Sequence, residues 1–205
     1  DECGVFGVYA PESEVARLAY FALYALQHRG QESAGIASAD ASGHIMTVRD
    51  LGLVSQVFDE QKLKALEGSM AIGHVRYSTT GSSAWENAQP VWRSDRRQIA
   101  LAHNGNLINA VELHALLSEQ GVQFRGTSDS EIIAALLSTP PAERVQDALA
   151  EVVPRLEGAF STVVMTKDAV VAFRDPAGLR PLALGMLDGS YCVASESCAF
   201  DIIGA

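Results

Sequence analysis

The most nucleophilic kind of side chain in this sequence stands at position 3, in DECGVFG, a cysteine with two carboxylates before it and glycines at Gly4 and Gly7 after it. A carboxamide is a poor electrophile. A thiolate divides its hydrolysis into acylation and deacylation through a thioester, with ammonia leaving in the first half. A buried structural cysteine would fit the same stretch. Four further islands, QHRGQESAG, GHVRYSTTG, HNGN and TSDSE, concentrate the arginine, amide, hydroxyl and carboxylate groups that a small amide substrate would need around such a nucleophile. Taken singly, each has a plain reading: an arginine on a strand is a solvated charge, and Asn-Gly is a hairpin turn.

Regular structure has to hold those islands in place. Gly4 to Ala10 reads as a strand, and SEVARLAYFALYALQHRG places apolar residues at helical spacing after Ser13 as N-cap, with Gly30 at its end. SAGIASAD and HIMTVRDLG read as two strands joined by a turn at Asp40 to Gly43, DEQKLKALEG as a short helix and SMAIGHVRY as a strand. QIALAHNG is a strand leading into a loop at Asn104 to Asn106, and NAVELHALLSEQG follows as a helix capped by Asn109 and ended by Gly121. TSDSEIIAALL starts a helix that Pro140-Pro141 stops, and AERVQDALAEVVPRLEG is an amphipathic helix with Pro154 near its end. Four strands follow from Gly158: AFSTVVMT, AVVAFRD, PLALGML and SYCVAS. Strands at both ends with helices grouped between them predict antiparallel sheets covered by helices, in one layered domain, and not the strand-helix alternation of a doubly wound parallel sheet.

Bulk properties narrow the function classes. The 205 residues, 48% hydrophobic and 20% charged, suit one folded domain with a sizeable core. A net charge of -10 argues against a nucleic-acid surface. Apolar stretches such as Val163 to Met165 are too short to span a bilayer, and no signal-peptide pattern is present. Cys3, Cys192 and Cys198 are odd in number and lack close pairing, which fits a reducing compartment better than a disulfide framework. Cys192 and Cys198 read as small hydrophobes. The histidines His28, His44, His74, His103 and His114 never fall at zinc-ligand spacing and no C-x-x-C occurs, so no metal is expected in this chain.

In order and combination, Cys3 with LQHRGQESAG, GHVRYSTTG, LAHNGNLINA, TSDSE and AFRDPAGLRPLALG resembles the class II glutamine amidotransferases, a branch of the N-terminal-nucleophile hydrolases, over nearly the whole chain. Within that family, QHRGQ and RDPAGLRPL are more similar to the amidophosphoribosyltransferase branch than to glucosamine-6-phosphate synthase or asparagine synthetase. The resemblance implies an α+β fold: a four-layer αββα Ntn-hydrolase sandwich of two antiparallel sheets flanked by helices. It also implies that the base for Cys3 is the cysteine's own α-amino group. An α-amine, with a reference pKa of about 7.7 to 8.0, is partly neutral near physiological pH, whereas an amide nitrogen has no such basicity. Asp1 and Glu2 then look like the tail of a propeptide whose removal frees Cys3.

By the same resemblance, Cys3, Asn104 and Gly105 are catalytic, the Asn104 side-chain amide and the Gly105 N–H forming an oxyanion hole. Gly105 is expected to be glycine so that no side chain obstructs the approach of backbone to substrate, with a simple turn as the alternative. Arg76 would bind the glutamine α-carboxylate and Asp129 its α-ammonium. Thr79 would add a polar contact, Arg29 would position the nucleophile strand or its loop, and Tyr77 would belong to a loop that closes over substrate. His28, His74 and His103 read as core or hydrogen-bonded structural histidines, and Arg174 and Arg180 as turn residues paired with local acids.

The implied organisation is a propeptide remnant at 1–2 and an amidotransferase domain over 3–205, truncated at its C-terminal end. Its expected function is to supply ammonia for 5-phosphoribosylamine formation in purine synthesis, in the cytoplasm. Glutamine is the expected small-molecule partner and a phosphoribosyltransferase domain the expected covalent partner; a homo-oligomer is compatible with the sequence, which leaves the oligomeric state open, and nucleic acid and membrane are not expected. No cofactor is expected in this chain, while Mg2+ and an iron-sulfur cluster would belong to the full-length enzyme. Two alternatives stay open: the glutaminase domain of another amidotransferase such as glucosamine-6-phosphate synthase, and a non-catalytic glutamine-binding module if Cys3 is not freed.

Overall fold

The structure, a computed structural model, describes residues 2–77 and 85–205. The chain runs β1 (Gly4–Tyr9), α1 (Val15–Ala25), β2 (Ser33–Ala39), β3 (Ile45–Leu51), α2 (Val54–Val57), α3 (Glu60–Ala65) and β4 (Met70–Arg76). It continues through β5 (Val91–Ser94), β6 (Gln98–Leu107), α4 (Ala110–Glu119), α5 (Asp129–Ser138) and α6 (Val145–Val152). The last elements are β7 (Gly158–Met165), β8 (Val170–Arg174), β9 (Ala183–Leu187), β10 (Ser190–Ala194) and α7 (Cys198–Ile203). No helix among the described residues is long and apolar enough to cross a membrane.

The strands form two sheets, six-stranded in the order β3-β2-β4-β1-β10-β9 and four-stranded in the order β5-β6-β7-β8, with every pairing antiparallel. Alternation along the strands decides which layer each side chain enters. On β1, Phe6 and Val8 pack outward with Ala19, Leu23 and Phe200, whereas Val5 packs inward with Ala100, Ala102 and Val163 of the second sheet. On β6, Ile99 and Leu101 turn the other way, onto Ile133 and Leu137 of α5 and Val145 of α6. The three clusters separate four layers, helices on sheet on sheet on helices, which is the αββα sandwich expected from the resemblance. Each fully buried Leu, Ile or Phe contributes about 1.5 to 3 kcal/mol toward holding them together.

Locally the chain departs from expectation in ways that matter for the site. The N-cap of α1 is Glu14, not Ser13, and no side chain caps it. The helix ends at Ala25, and Gln27–Arg29 follow as a separate 3₁₀ turn. The Gln27 side chain explains the tightening: its Nε2 donates to Gly30 O at 2.5 Å and its Oε1 accepts from Val54 N at 2.8 Å. Asn104 to Asn106 are not a loop. They pair with Ser161, Phe160 and Ala159 of β7, so the ladder satisfies their backbone despite the polar composition. At Gly105 φ is +142°, and a Cβ there would stand 2.0 Å from Ala159 O, so the neighbouring strand itself demands glycine. Asn109 occupies the N-cap position of α4 but makes no cap bond; instead it ties that helix to the segment before β7, through Arg155 O at 2.9 Å and Glu157 N at 3.2 Å.

Candidate functional site

Strand parity brings the chemistry to one end of the layer between the sheets. Val5 faces that layer, so Cys3, two residues earlier, lies on the same side of its strand's path. On β4, Met70 and Ile72 face it, which places His74 and Arg76 there; on β6, Ala100 and Ala102 face it, which places Asn104 there. The pairing of Gly4 with Val75 sets Cys3 beside Arg76, and the 3.0 Å bond between His74 Nε2 and His103 O joins this end of β4 to β6. A cleft of about 30 Å³ is lined by Cys3, Arg76, Tyr77, Gly105 and Asp129, with Gln89, His103, Asn106, Ser128 and Ser130 completing its wall.

The Cys3 thiol is bracketed by the backbone of Tyr77: it donates to Tyr77 O and accepts from Tyr77 N, both at 3.4 Å. Burial pushes the Cys3 thiol above its usual pKa, against the opposing pull of the Tyr77 hydrogen bond and the nearby charges of Arg76, Arg29 and Arg180. Arg29, delivered by the 3₁₀ turn, donates from Nε to Cys3 O at 2.9 Å and from Nη2 to Glu2 Oε2 at 2.7 Å, and also pairs with Glu196. The other Glu2 oxygen accepts from Arg180. With Glu2 attached, the nitrogen of Cys3 is a peptide amide, which has no basicity to offer the thiol.

Arg76 is 3% exposed at the end of β4, with Nη1 at 3.4 Å from Glu32 Oε2. Asp129 opens α5, and its Oδ2 accepts the Leu107 N–H at 2.7 Å. Burial raises the Asp129 pKa, a sign that this carboxylate lies in a poorly solvated place suited to a cation. Asn104 is buried, and its Nδ2 has no hydrogen-bond partner among the described residues. A donor left unpaired in the interior costs stability, so a partner arriving from outside would be well received. Gly105 lines the cleft, although the observed reason for its glycine is the close approach of β7 and not clearance for a substrate. Tyr77 is 41% exposed at the cleft mouth, while Thr79 lies outside the described residues.

The histidines behave as structural groups. Burial lowers the pKa of His74 to about 3 and of His103 to about 4, so both are neutral, and His103 is held by Ser130 Oγ at 3.2 Å and, through its backbone N–H, by Gln89 Oε1 at 2.7 Å. His28 is exposed and bonds Glu196 at 3.0 Å. His28, Glu196 and Cys198 bring three ligand-type atoms within 4.8 Å of one another, the only such trio among the described residues. Those groups bond one another and Arg29.

Several site residues carried no signal in the sequence. Gln89 clamps the backbone of His103 from both sides, donating to its O at 3.3 Å, yet it lies in none of the motifs read from the sequence. Glu32 was visible only as part of QHRGQES. Arg180 was expected to pair with a local acid, but its carboxylate is Glu2, 178 residues away in the chain, because β1 and the segment before β9 meet at the same end of the sheet.

A model of the glutamine amidotransferase domain family matches residues 74–201. The amidophosphoribosyltransferase of Mycobacterium leprae (strain TN) is 53% identical over 213 residues, an alignment that covers 100% of this chain and 38% of the relative. That of Mycobacterium bovis is 52% identical, covering 100% of this chain and 40% of the relative. The solved structure of glutamine phosphoribosylpyrophosphate amidotransferase from B. subtilis, complexed with ADP and GMP, superposes with a TM-score of 0.91 at 40% identity, covering 99% of this chain and 44% of that one. The chain therefore spans about two fifths of the length of the curated relatives it matches.

Proposed function

Because the chain belongs to the glutamine amidotransferase family, we propose that it hydrolyses the side-chain amide of glutamine through a thioester on Cys3. The ammonia released would supply 5-phosphoribosylamine formation by a phosphoribosyltransferase domain in the rest of the protein, in cytoplasmic purine synthesis. The observation that carries the reading is the convergence of Cys3, Arg76, Gly105 and Asp129 on one cleft; Asn104, next to Gly105 in β6, is not among the residues lining it, and its Nδ2 has no hydrogen-bond partner among the described residues.

Residues 1–2 are, on this reading, the end of a removable segment, and residues 3–205 belong to the amidotransferase domain. Removal of Glu2 turns the Cys3 amide nitrogen into an α-amine. That amine takes the thiol proton as Sγ attacks the amide carbon, then passes it to the departing ammonia. The thiol is kept protonated by burial until the base acts. Charge developing on the amide oxygen is met by Asn104 Nδ2 and the Gly105 N–H, donors fixed before the reaction begins. Water then cleaves the thioester and glutamate departs. Arg76 holds the substrate α-carboxylate bidentately, and Asp129 pairs with the α-ammonium, whose charge favours the carboxylate against the burial that raises its pKa. Thr79 supports the substrate, Tyr77 closes over it, and Arg29 holds the nucleophile through Cys3 O.

Mg2+ and an iron-sulfur cluster belong, on this reading, to parts of the protein outside this chain. The residues here do not fit a cluster: the one trio of ligand atoms among the described residues contains a single cysteine, where such clusters take four thiolates. Ammonia release from glutamine, measured on the chain bearing Glu2 and on the chain beginning at Cys3, tests the mechanism. Activity is expected only in the second and is abolished there by Cys3→Ser. Equal activity in both would remove the α-amine from the mechanism.

A further inference from the structure

RDPAGLRPL has no part in the chemistry above, and Glu2 belongs to a segment that is discarded, yet the structure joins them. The two carboxylate oxygens of Glu2 are held separately, Oε2 by Arg29 Nη2 at 2.7 Å and Oε1 by Arg180 Nη1. Arg29 spans the bond between Glu2 and Cys3, since its Nε also donates to Cys3 O at 2.9 Å. Arg29 keeps a second carboxylate, Glu196. For Arg180, Glu2 is the only carboxylate within ion-pair distance among the described residues.

The turn that carries Arg180 is built to hold it still. Asp175 is buried, and burial would raise its pKa, but backbone donors from Leu179, Phe160, Arg180 and Gly178 together outweigh that and hold it below the usual carboxylate range. Gly178 takes φ +64° to close the turn, with its N–H on Asp175 O at 3.0 Å. A surface arginine paired with a neighbour by chance would need no such mounting.

From this geometry we infer that Arg180, with Arg29, forms a binding site for an acidic side chain at position 2, and that the site selects the residue preceding the bond broken to free Cys3. The inference rests on the trimming step of the proposed function. Trimming is hydrolysis of the peptide between Glu2 and Cys3: its C–N bond breaks, water supplies the hydroxyl that ends Glu2 as a new carboxylate, and the Cys3 nitrogen keeps the remaining proton as an amine. The paired arginines fix the chain on both sides of that bond, so a neutral residue at position 2 leaves it held only on the Cys3 side, by Arg29 Nε.

The full-length protein is expressed as wild type, Glu2→Gln, Arg180→Gln and the double variant, and intact mass gives the fraction beginning at Cys3 over time. Each single variant is expected to trim about tenfold more slowly than wild type, and the double variant no more slowly than the worse single one, as two groups acting through one contact require. Melting temperatures within a few degrees of wild type show that folding is not the cause, and Arg180→Lys, which keeps the charge, is expected to recover part of the rate. Wild type trimmed with both single variants trimmed as fast would overturn the site and leave the proposed function standing. Slowing that adds fully in the double variant would equally overturn it. A wild type that keeps Glu2 in an active enzyme would overturn both.

Discussion

At the scale of single residues, the site mixes groups that are satisfied in the resting protein with several that are not, among them Asn104 Nδ2, Ser128 Oγ and His103 Nε2. Asn104 Nδ2 has no partner among the described residues, so Asn104→Ala is expected to leave the melting temperature unchanged or raised while lowering kcat by about 10²- to 10³-fold, the usual effect of losing an oxyanion donor. A fall in stability with kcat intact would assign the amide to the fold and not to the reaction. Arg76 is buried and charged, and under the proposed function its loss leaves the glutamine α-carboxylate unmatched in a poorly solvated cleft. Arg76→Ala is therefore expected to cost about 2 to 5 kcal/mol of glutamine binding, seen as a KM raised thirtyfold or more with a smaller change in kcat. An unaltered KM would show that the carboxylate binds elsewhere. These residues were legible in the sequence only through the order and combination of the motifs that hold them, since each motif alone has a plain reading. Gln89 and Glu32 were not, because glutamine and glutamate are common everywhere and only a fold can aim them.

At the scale of elements, the strands carry the site as a matter of parity, and they carry a cost as well. His74 on β4 and His103 on β6 are wholly buried, and burial holds their pKa values near 3 and near 4, against an ordinary 6.5. Below pH 6.5 the unfolded chain takes up protons that the native state refuses, so stability falls as pH drops toward 4, by about 1.4 kcal/mol per pH unit for each histidine. Asp129, raised by burial, works in the opposite sense at the acid end of that range. The urea midpoint is expected to drop clearly between pH 7 and pH 5, and a flat profile would mean that both rings protonate in the folded protein. Strand and helix periodicity predicted most of these elements. It missed β5, α2 and α7, each six residues or shorter, where a window of sequence holds too little pattern, and it read HNGN as a loop because the pairing that makes it a strand comes from β7.

At the scale of the molecule, the spacing between the two sheets sets how the end of β4, with Cys3 beside Arg76, faces the end of β6. The layer between them mixes small and large side chains, Ala37, Ala100 and Ala102 beside Ile72, Met70 and Met165. Ala100→Leu in this layer and Ala134→Leu in the outer cluster under α5 each overpack a filled core and are each expected to cost about 1 to 3 kcal/mol of stability. Only the first is expected to lower kcat for glutamine hydrolysis severalfold, because only it pushes the sheets apart; equal losses of kcat would show that sheet separation does not tune the site. The sequence by itself determined the layered class, since alternation and helical periodicity are local properties of the chain, and it singled out Cys3, Arg76 and Asp129, which the structure brings to one cleft. Tertiary structure alone decided that Arg180 meets Glu2 across 178 residues, that β7 imposes glycine at position 105, and that Asn104 Nδ2 has no hydrogen-bond partner among the described residues. The physical reason is that these are contacts between distant segments, and residue types constrain such contacts only after the sheets have paired and stacked.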